Sequence, residues 1–116
     1  MILYIASPYS HPDKQVEQWR YEMVQEEVAR LHGADVYPYS PIVYTHVMAQ
    51  RYDLPTEADY WKNHNEAFLR QSHKLIVLML EDWDRSIGVR AEIAFAESLG
   101  IPVVYLVPGQ ALEVAA

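Results

Sequence analysis

Leu75-Ile76-Val77-Leu78-Met79-Leu80 and, just beyond it, Asp84-Arg85-Ser86-Ile87-Gly88-Val89-Arg90-Ala91-Glu92 decide how this 116-residue chain folds. The first stretch is wholly apolar and short, which suits a strand buried on both faces. The second begins with small and polar residues and opens an amphipathic segment that continues through Leu99. A strand, a small-residue turn and a helix therefore follow one another, with Glu92 expected on the first helical turn. Unpaired backbone N–H groups and the positive end of the helix dipole favour anions there. Glu92 is accordingly expected to stay ionised at neutral pH, as a nucleophile must. Ser86 and the bare backbone at Gly88 suit a phosphate or sugar oxygen. The plainer alternatives are a dipole-favoured surface acid at Glu92 and an ordinary helix N-cap at Ser86.

Outward from this centre the same alternation recurs. Met1 to Ala6 reads as a first buried strand, ended by Ser7-Pro8-Tyr9-Ser10. Asp13 to His32 carries Val16, Trp19, Met23, Val24, Val28 and Leu31 near helical period, with Gly33 as its stop. Asp35 to Tyr39 is a short strand that Pro38 pushes toward an edge. Ser40 to Pro55 reads as an irregular, aromatic-rich loop. Glu57 to Ser72 is helical, Lys74 to Leu80 the third strand, Gly88 to Leu99 the last helix and Ile101 to Val107 the fourth strand, with a short tail after Pro108. The fold class is α/β: a Rossmann-like or flavodoxin-like open parallel sheet of four to five strands, with helices on both faces, in one domain spanning residues 1–116. Ligands of such sheets bind beyond the carboxyl ends of strands near the switch point. Three polar strand exits, Ser7 to Ser10, Ser40 to His46 and Asp82 to Ser86, are expected to converge there.

Composition narrows the function classes. A formal charge of −7, with nine scattered Lys and Arg, argues against polymeric nucleic acid. No apolar run reaches the roughly 18–20 residues of a membrane span, and the amino terminus lacks a leader's basic region. With no cysteine there is no disulfide or thiolate chemistry, and the expected address is cytoplasmic. No second histidine stands at ligand spacing to His46, so no metal site is expected. His46 itself is either a loop hydrogen-bonder or a substrate contact. Tyr9 and Trp83, at two strand exits, are the candidates to stack on a base, and Arg90 either pairs with a phosphate or faces water.

The residues Leu3-Tyr4-Ile5-Ala6-Ser7-Pro8, the helix running into Leu75-Ile76-Val77-Leu78, and Ser86-x-Gly88-Val89-x-x-Glu92 together resemble the nucleoside 2-deoxyribosyltransferase superfamily. The last motif is more similar to the 2′-deoxynucleoside 5′-phosphate N-hydrolases than to the transferases, which carry Asp-x-Gly-Thr-x-x-Glu. Short bacterial and phage members also show the pattern of Ala6-Ser7-Pro8-Tyr9-Ser10, of Ser40-Pro41-Ile42 with His46, and of Trp83. The resemblance implies hydrolysis or transfer at the N-glycosidic bond of a small (deoxy)nucleoside or its 5′-monophosphate, without cofactor or metal. Glu92 matches the nucleophile, Tyr4 the tyrosine that orients it and Ser86 the serine that contacts a 5′-phosphate. Asn65 stands where relatives place an aspartate, with Glu66 or His64 as possible acid–base help. Ser7, Tyr9, Ser10, His46, Trp83 and Gly88 complete the expected substrate contacts. The resemblance also implies a homo-oligomer, a dimer or larger, in keeping with the aromatic density of Ser40 to Tyr60. Some relatives complete each site with a polar residue from a neighbouring carboxyl-terminal segment, and residues 111–116 offer no serine or asparagine for this. Two rival readings are a non-catalytic nucleotide-binding module and an enzyme acting on a larger ribosyl substrate such as NAD, the latter disfavoured by the small size of the chain.

Overall fold

The computed structural model describes residues 1–112; the tail residues 113–116 considered above lie outside them. Four parallel strands, β1 (Ile2–Ala6), β2 (Tyr37–Tyr39), β3 (Lys74–Leu78) and β4 (Val103–Leu106), lie in the order β2-β1-β3-β4. Five helical segments join them: α1 (Lys14–Leu31), α2 (Pro41–Tyr52), α3 (Ala58–Arg70), a 3-10 turn (Trp83–Arg85) and α4 (Ile87–Ser98).

The central strands explain the apolar runs. In β1 Leu3, Tyr4, Ile5 and Ala6 are all buried, and in β3 Leu75 to Leu78 are. Alternate side chains serve opposite layers, as the period of a strand requires. Leu3, Ile5, Ile76 and Leu78 meet Val24 and Leu31 of α1, with Ile42 and Val43 of α2 beside them. Tyr4, Ala6, Leu75 and Val77 meet Leu69 of α3 and Val89 and Ala96 of α4. Both faces of the sheet are therefore covered, each buried Leu, Ile or Val contributing about 1.5–3 kcal/mol.

Chain direction reverses between β1 and β3. From β1 the chain moves outward to β2, and from β3 it moves outward the other way to β4. The crevice beyond the carboxyl ends of β1 and β3 is thus the switch point. The turn from α4 into β4 is a tight one. Gly100, at φ 71°, sits in the left-handed region; its N–H donates to the carbonyl of Glu97 and that of Ile101 to Ala96. This is the Schellman arrangement, whose left-handed corner favours glycine.

Two expectations are corrected. Ser40 to Pro55 is not an irregular loop, because Ser40 caps a 12-residue helix: its Oγ accepts from the N–H of Val43 at 3.2 Å, with Pro41 at the first helical position. The aromatic content concealed an ordinary cap and Pro-start signal. The inward face of α1 also differs from the apolar series read above: Glu17, Arg20, Val24, Glu27 and Leu31 are buried, whereas Trp19 is exposed. The helix ends at Leu31, with His32 as its C-cap, one residue before the expected bound.

Removing the cap tests the role of Ser40. Ser40→Ala is expected to lower the unfolding free energy by about 1 kcal/mol. In urea titration the midpoint should fall with the slope unchanged.

Candidate active site

A cavity of about 800 Å³ opens at the switch point. All three polar strand exits reach it: Ser7, Tyr9 and Ser10 after β1, Pro41 and Thr45 after β2, and Asp82, Arg85 and Ser86 after β3. α3 adds Asn65 and Glu66, and α4 adds Gly88 and Glu92. Ser86 caps α4, its Oγ accepting from the N–H of Val89 at 3.2 Å.

Tyr4 does not line the cavity but lies beneath it. Its hydroxyl donates to Oε2 of Glu92, the only hydrogen bond to that carboxyl among the described residues. Burial first, then the charge of Glu92 and this hydrogen bond, drive the Tyr4 phenol far above its ordinary pKa, so it is a donor at every working pH. Burial likewise pushes the Glu92 carboxyl up to about 7, against the lowering effect of the Tyr4 hydrogen bond. The expectation of a fully ionised glutamate on the first turn is therefore corrected. Glu92 lies six positions beyond the cap Ser86, in the second turn, past the free N–H groups that would favour a negative charge. Desolvation wins, and the carboxyl stands midway through its titration at neutral pH.

Two buried polar atoms of residues in the cavity wall have no partner among the described residues, Oγ of Ser7 and Oδ1 of Asn65. Buried polar groups are almost always hydrogen-bonded, so two unpaired ones on residues that line one cavity stand out.

Two expected contacts are not at the cavity surface. His46 is buried behind Tyr9, stacked on the ring of Tyr21 at 3.9 Å. Its Nε2 lies 3.1 Å from the Oε1 of Gln18, an acceptor, so Nε2 carries the proton and Nδ1 accepts from the Tyr9 hydroxyl at 2.7 Å. Burial lowers the His46 pKa, against the charges of Glu17 and Glu22, in keeping with a neutral ring. His46 thus supports Tyr9, whose ring is turned toward the cavity wall with its hydroxyl engaged. Trp83 packs on Tyr105 of β4, ring centroids 5.5 Å apart, and is not part of the lining. Its place beside the Ser-x-Gly turn is structural because the 3-10 turn directs it over the sheet edge.

Arg20 was not picked out from the sequence. It is buried in α1 and reaches the cavity from below the β1 exit. Trp61 of α3, with its indole N–H donating to the carbonyl of Pro55 at 2.7 Å, is a second unforeseen wall residue. The signal for Arg20 was its spacing: it lies four residues before Val24, on the stripe that meets the sheet. Among the described residues no cluster of three or more His, Asp or Glu could hold a metal ion, and no helix is long and apolar enough to cross a membrane.

A four-stranded parallel α/β sheet with helices on both faces is consistent with the 2-deoxyribosyltransferase-like fold. The chain superimposes on a solved 2-deoxyribosyltransferase from the psychrotolerant bacterium Bacillus psychrosaccharolyticus with a TM-score of 0.57, covering 97% of this chain and 77% of that one at 16% identity. The chain belongs to the family described as Domain of unknown function (DUF1937), which matches residues 1–107. No curated protein matches it.

The carboxyl's high pKa has a consequence for stability. Its folded value, about 7, lies above the ordinary 4.5, so the folded protein holds an extra proton between those values and loses stability as pH rises through that window. Glu92→Gln should therefore stabilise the protein by about 1–2 kcal/mol at pH 8 and leave it unchanged at pH 4. Urea denaturation at both pH values checks this; an equal effect at the two would remove ionisation as the cause.

Proposed function

We propose that this protein cleaves the N-glycosidic bond of a small (deoxy)nucleoside or its 5′-monophosphate through Glu92. The observation that carries this reading is the Tyr4–Glu92 hydrogen bond at the floor of the cavity. One carboxylate oxygen is held by the phenol, which leaves the other to attack the anomeric carbon. The C1′–N bond breaks as the Glu92–C1′ bond forms, the electron pair leaving with the base, which takes up a proton. Water then attacks C1′, restores the carboxylate and releases the sugar and a proton; a second base in place of water gives transfer. Of the carboxyls that line the cavity, Glu66, next to Asn65 on α3, is the one assigned to protonate the leaving base, since Asn65 has no acidic proton. Hydrolysis is favoured over transfer by Ser86, which stands where the transferases carry an aspartate. The likeness to a solved 2-deoxyribosyltransferase and the unpaired Ser7 and Asn65 oxygens support the same substrate class.

A second reading, a nucleotide-binding module without turnover, is favoured by Asn65 in place of a carboxylic acid. Incubating wild type and Glu92→Gln with a panel of nucleosides and 5′-monophosphates separates the two. Free base should appear with the wild type and fall at least about a hundredfold with Glu92→Gln. The wild-type rate should rise with pH through an apparent pKa near 7, the value of the Glu92 carboxyl. Tyr4→Phe should move that limb to higher pH, because it removes the one interaction that lowers the pKa. Ligand-induced thermal stabilisation with no base released from any substrate would establish the binding module instead.

A further inference from the structure

Arg20 is an unusual residue to find inside a small acidic protein. It is only 6% exposed, and one amino group, Nη1, donates to the carbonyls of Ser10 at 3.0 Å and Tyr9 at 3.4 Å. The other, Nη2, stands 3.9 Å from Oδ2 of Asp82, outside hydrogen-bonding distance. A guanidinium offers five N–H donors, and a buried cation is costly unless an anion meets it closely. Asp82 meets it loosely. Its side chain is 48% exposed, and its second oxygen lies 3.9 Å from Nη1 of the exposed Arg85. Both arginines and Asp82 line the cavity.

Ser7 supplies the independent sign of a ligand. It is 5% exposed, its Oγ has no partner among the described residues, and it lies on the cavity wall close in sequence to the two carbonyls that orient Arg20. Ser7, a guanidinium with N–H groups not bonded among the described residues, and the start of α4 all line one cavity. A tetrahedral ligand with several acceptor oxygens uses all three, whereas a neutral sugar hydroxyl would not use the charge.

We propose that Arg20 and Ser7 form an anion subsite for a phosphate group, and that Asp82 is the resident anion a phosphate must displace. The assignment deepens the proposed function and rests on it only in taking this phosphate to be part of the substrate. The consequence runs against intuition: a carboxylate in the cavity wall weakens phosphate binding by occupying Arg20 and repelling the incoming charge.

Calorimetric titration with inorganic phosphate, ribose 5-phosphate and an uncharged nucleoside tests this. Asp82→Asn suits the test because asparagine tolerates the positive φ of 68° at that corner. It should tighten both phosphates by about two- to fivefold, the yield of a half-exposed pair. Arg20→Gln should weaken both by at least about tenfold, with nucleoside affinity unaltered. Should Arg20→Gln fail to fold by circular dichroism, the sign of the Asp82→Asn effect decides alone. Phosphate affinity unchanged or weakened in Asp82→Asn, or retained in a folded Arg20→Gln, would overturn the proposal. Tighter ribose 5-phosphate with indifferent inorganic phosphate would place the gain in the sugar contacts, and would overturn it too. Phosphate binding with the expected pattern in a protein that releases no base would leave the subsite standing and sink the enzymatic reading. Base release with phosphate affinity indifferent to both substitutions would do the reverse.

Discussion

The phenol of Tyr4 and the carboxyl of Glu92 meet where β1 passes beneath α4, and each constrains the other. The phenol is deep in the core, so its proton needs an acceptor; the carboxyl is shielded from water, so its charge needs a donor. Neither group has another protein partner among the described residues. The strand register that seats Tyr4 against Leu75 and Tyr39, and the cap at Ser86 that sets the phase of α4, both converge on this one contact. Opposed effects set its energetics. Desolvation favours the neutral acid, the hydrogen bond favours the anion, and the balance falls close to neutral pH. Under the proposed chemistry that balance is useful, because a less hydrated carboxylate attacks more readily than one stabilised on an open helix end.

The layers and the parallel sheet of this fold were legible in the sequence because buried parallel strands have a distinctive composition. Leu75 to Leu80 and Met1 to Ala6 contain no exposed period, and only a sheet covered on both faces tolerates that. Glu92, Tyr4 and Ser86 were legible through a resemblance rather than through periodicity, since a tyrosine on a strand and a serine before a helix have plain structural reasons of their own. What could not be read was the depth of a side chain. Glu92 lies one turn further into α4 than expected, and that single turn exchanges the dipole's support for desolvation. His46 and Trp83 stand near the strand exits as expected, yet each turns behind the wall, because a side chain's direction is set by helix phase and not by proximity in sequence.

α1 shows why its inward face was misread. Hydrophobic periodicity assumes that the inner stripe of a helix is apolar, and here the stripe is Glu17, Arg20, Val24, Glu27 and Leu31. The charges are tolerated because each finds partners supplied by irregular chain. Glu17 accepts from the His11 N–H and Lys14, Glu27 from Arg30 and the Gly109 N–H, and Arg20 donates to the carbonyls after β1. The inward face of this helix is therefore a polar scaffold for the segments that follow β1 and β4. A pattern search keyed to hydrophobicity sees Trp19 and Met23 instead, and so overlooks the buried cation in the cavity wall.

The hydrogen bond between the opening strand and the last helix joins residues 88 positions apart. During synthesis the phenol leaves the ribosome long before its carboxyl partner exists, and for most of that interval β1 lacks β3, the neighbour that buries it on the far side. The apolar opening segment must wait, exposed, until about two thirds of the chain has followed it. The contact between Tyr4 and Glu92 can thus form only after α4 has been made, and any nascent or prematurely terminated product ending before α4 would carry the loop after β1 without the carboxyl that faces it.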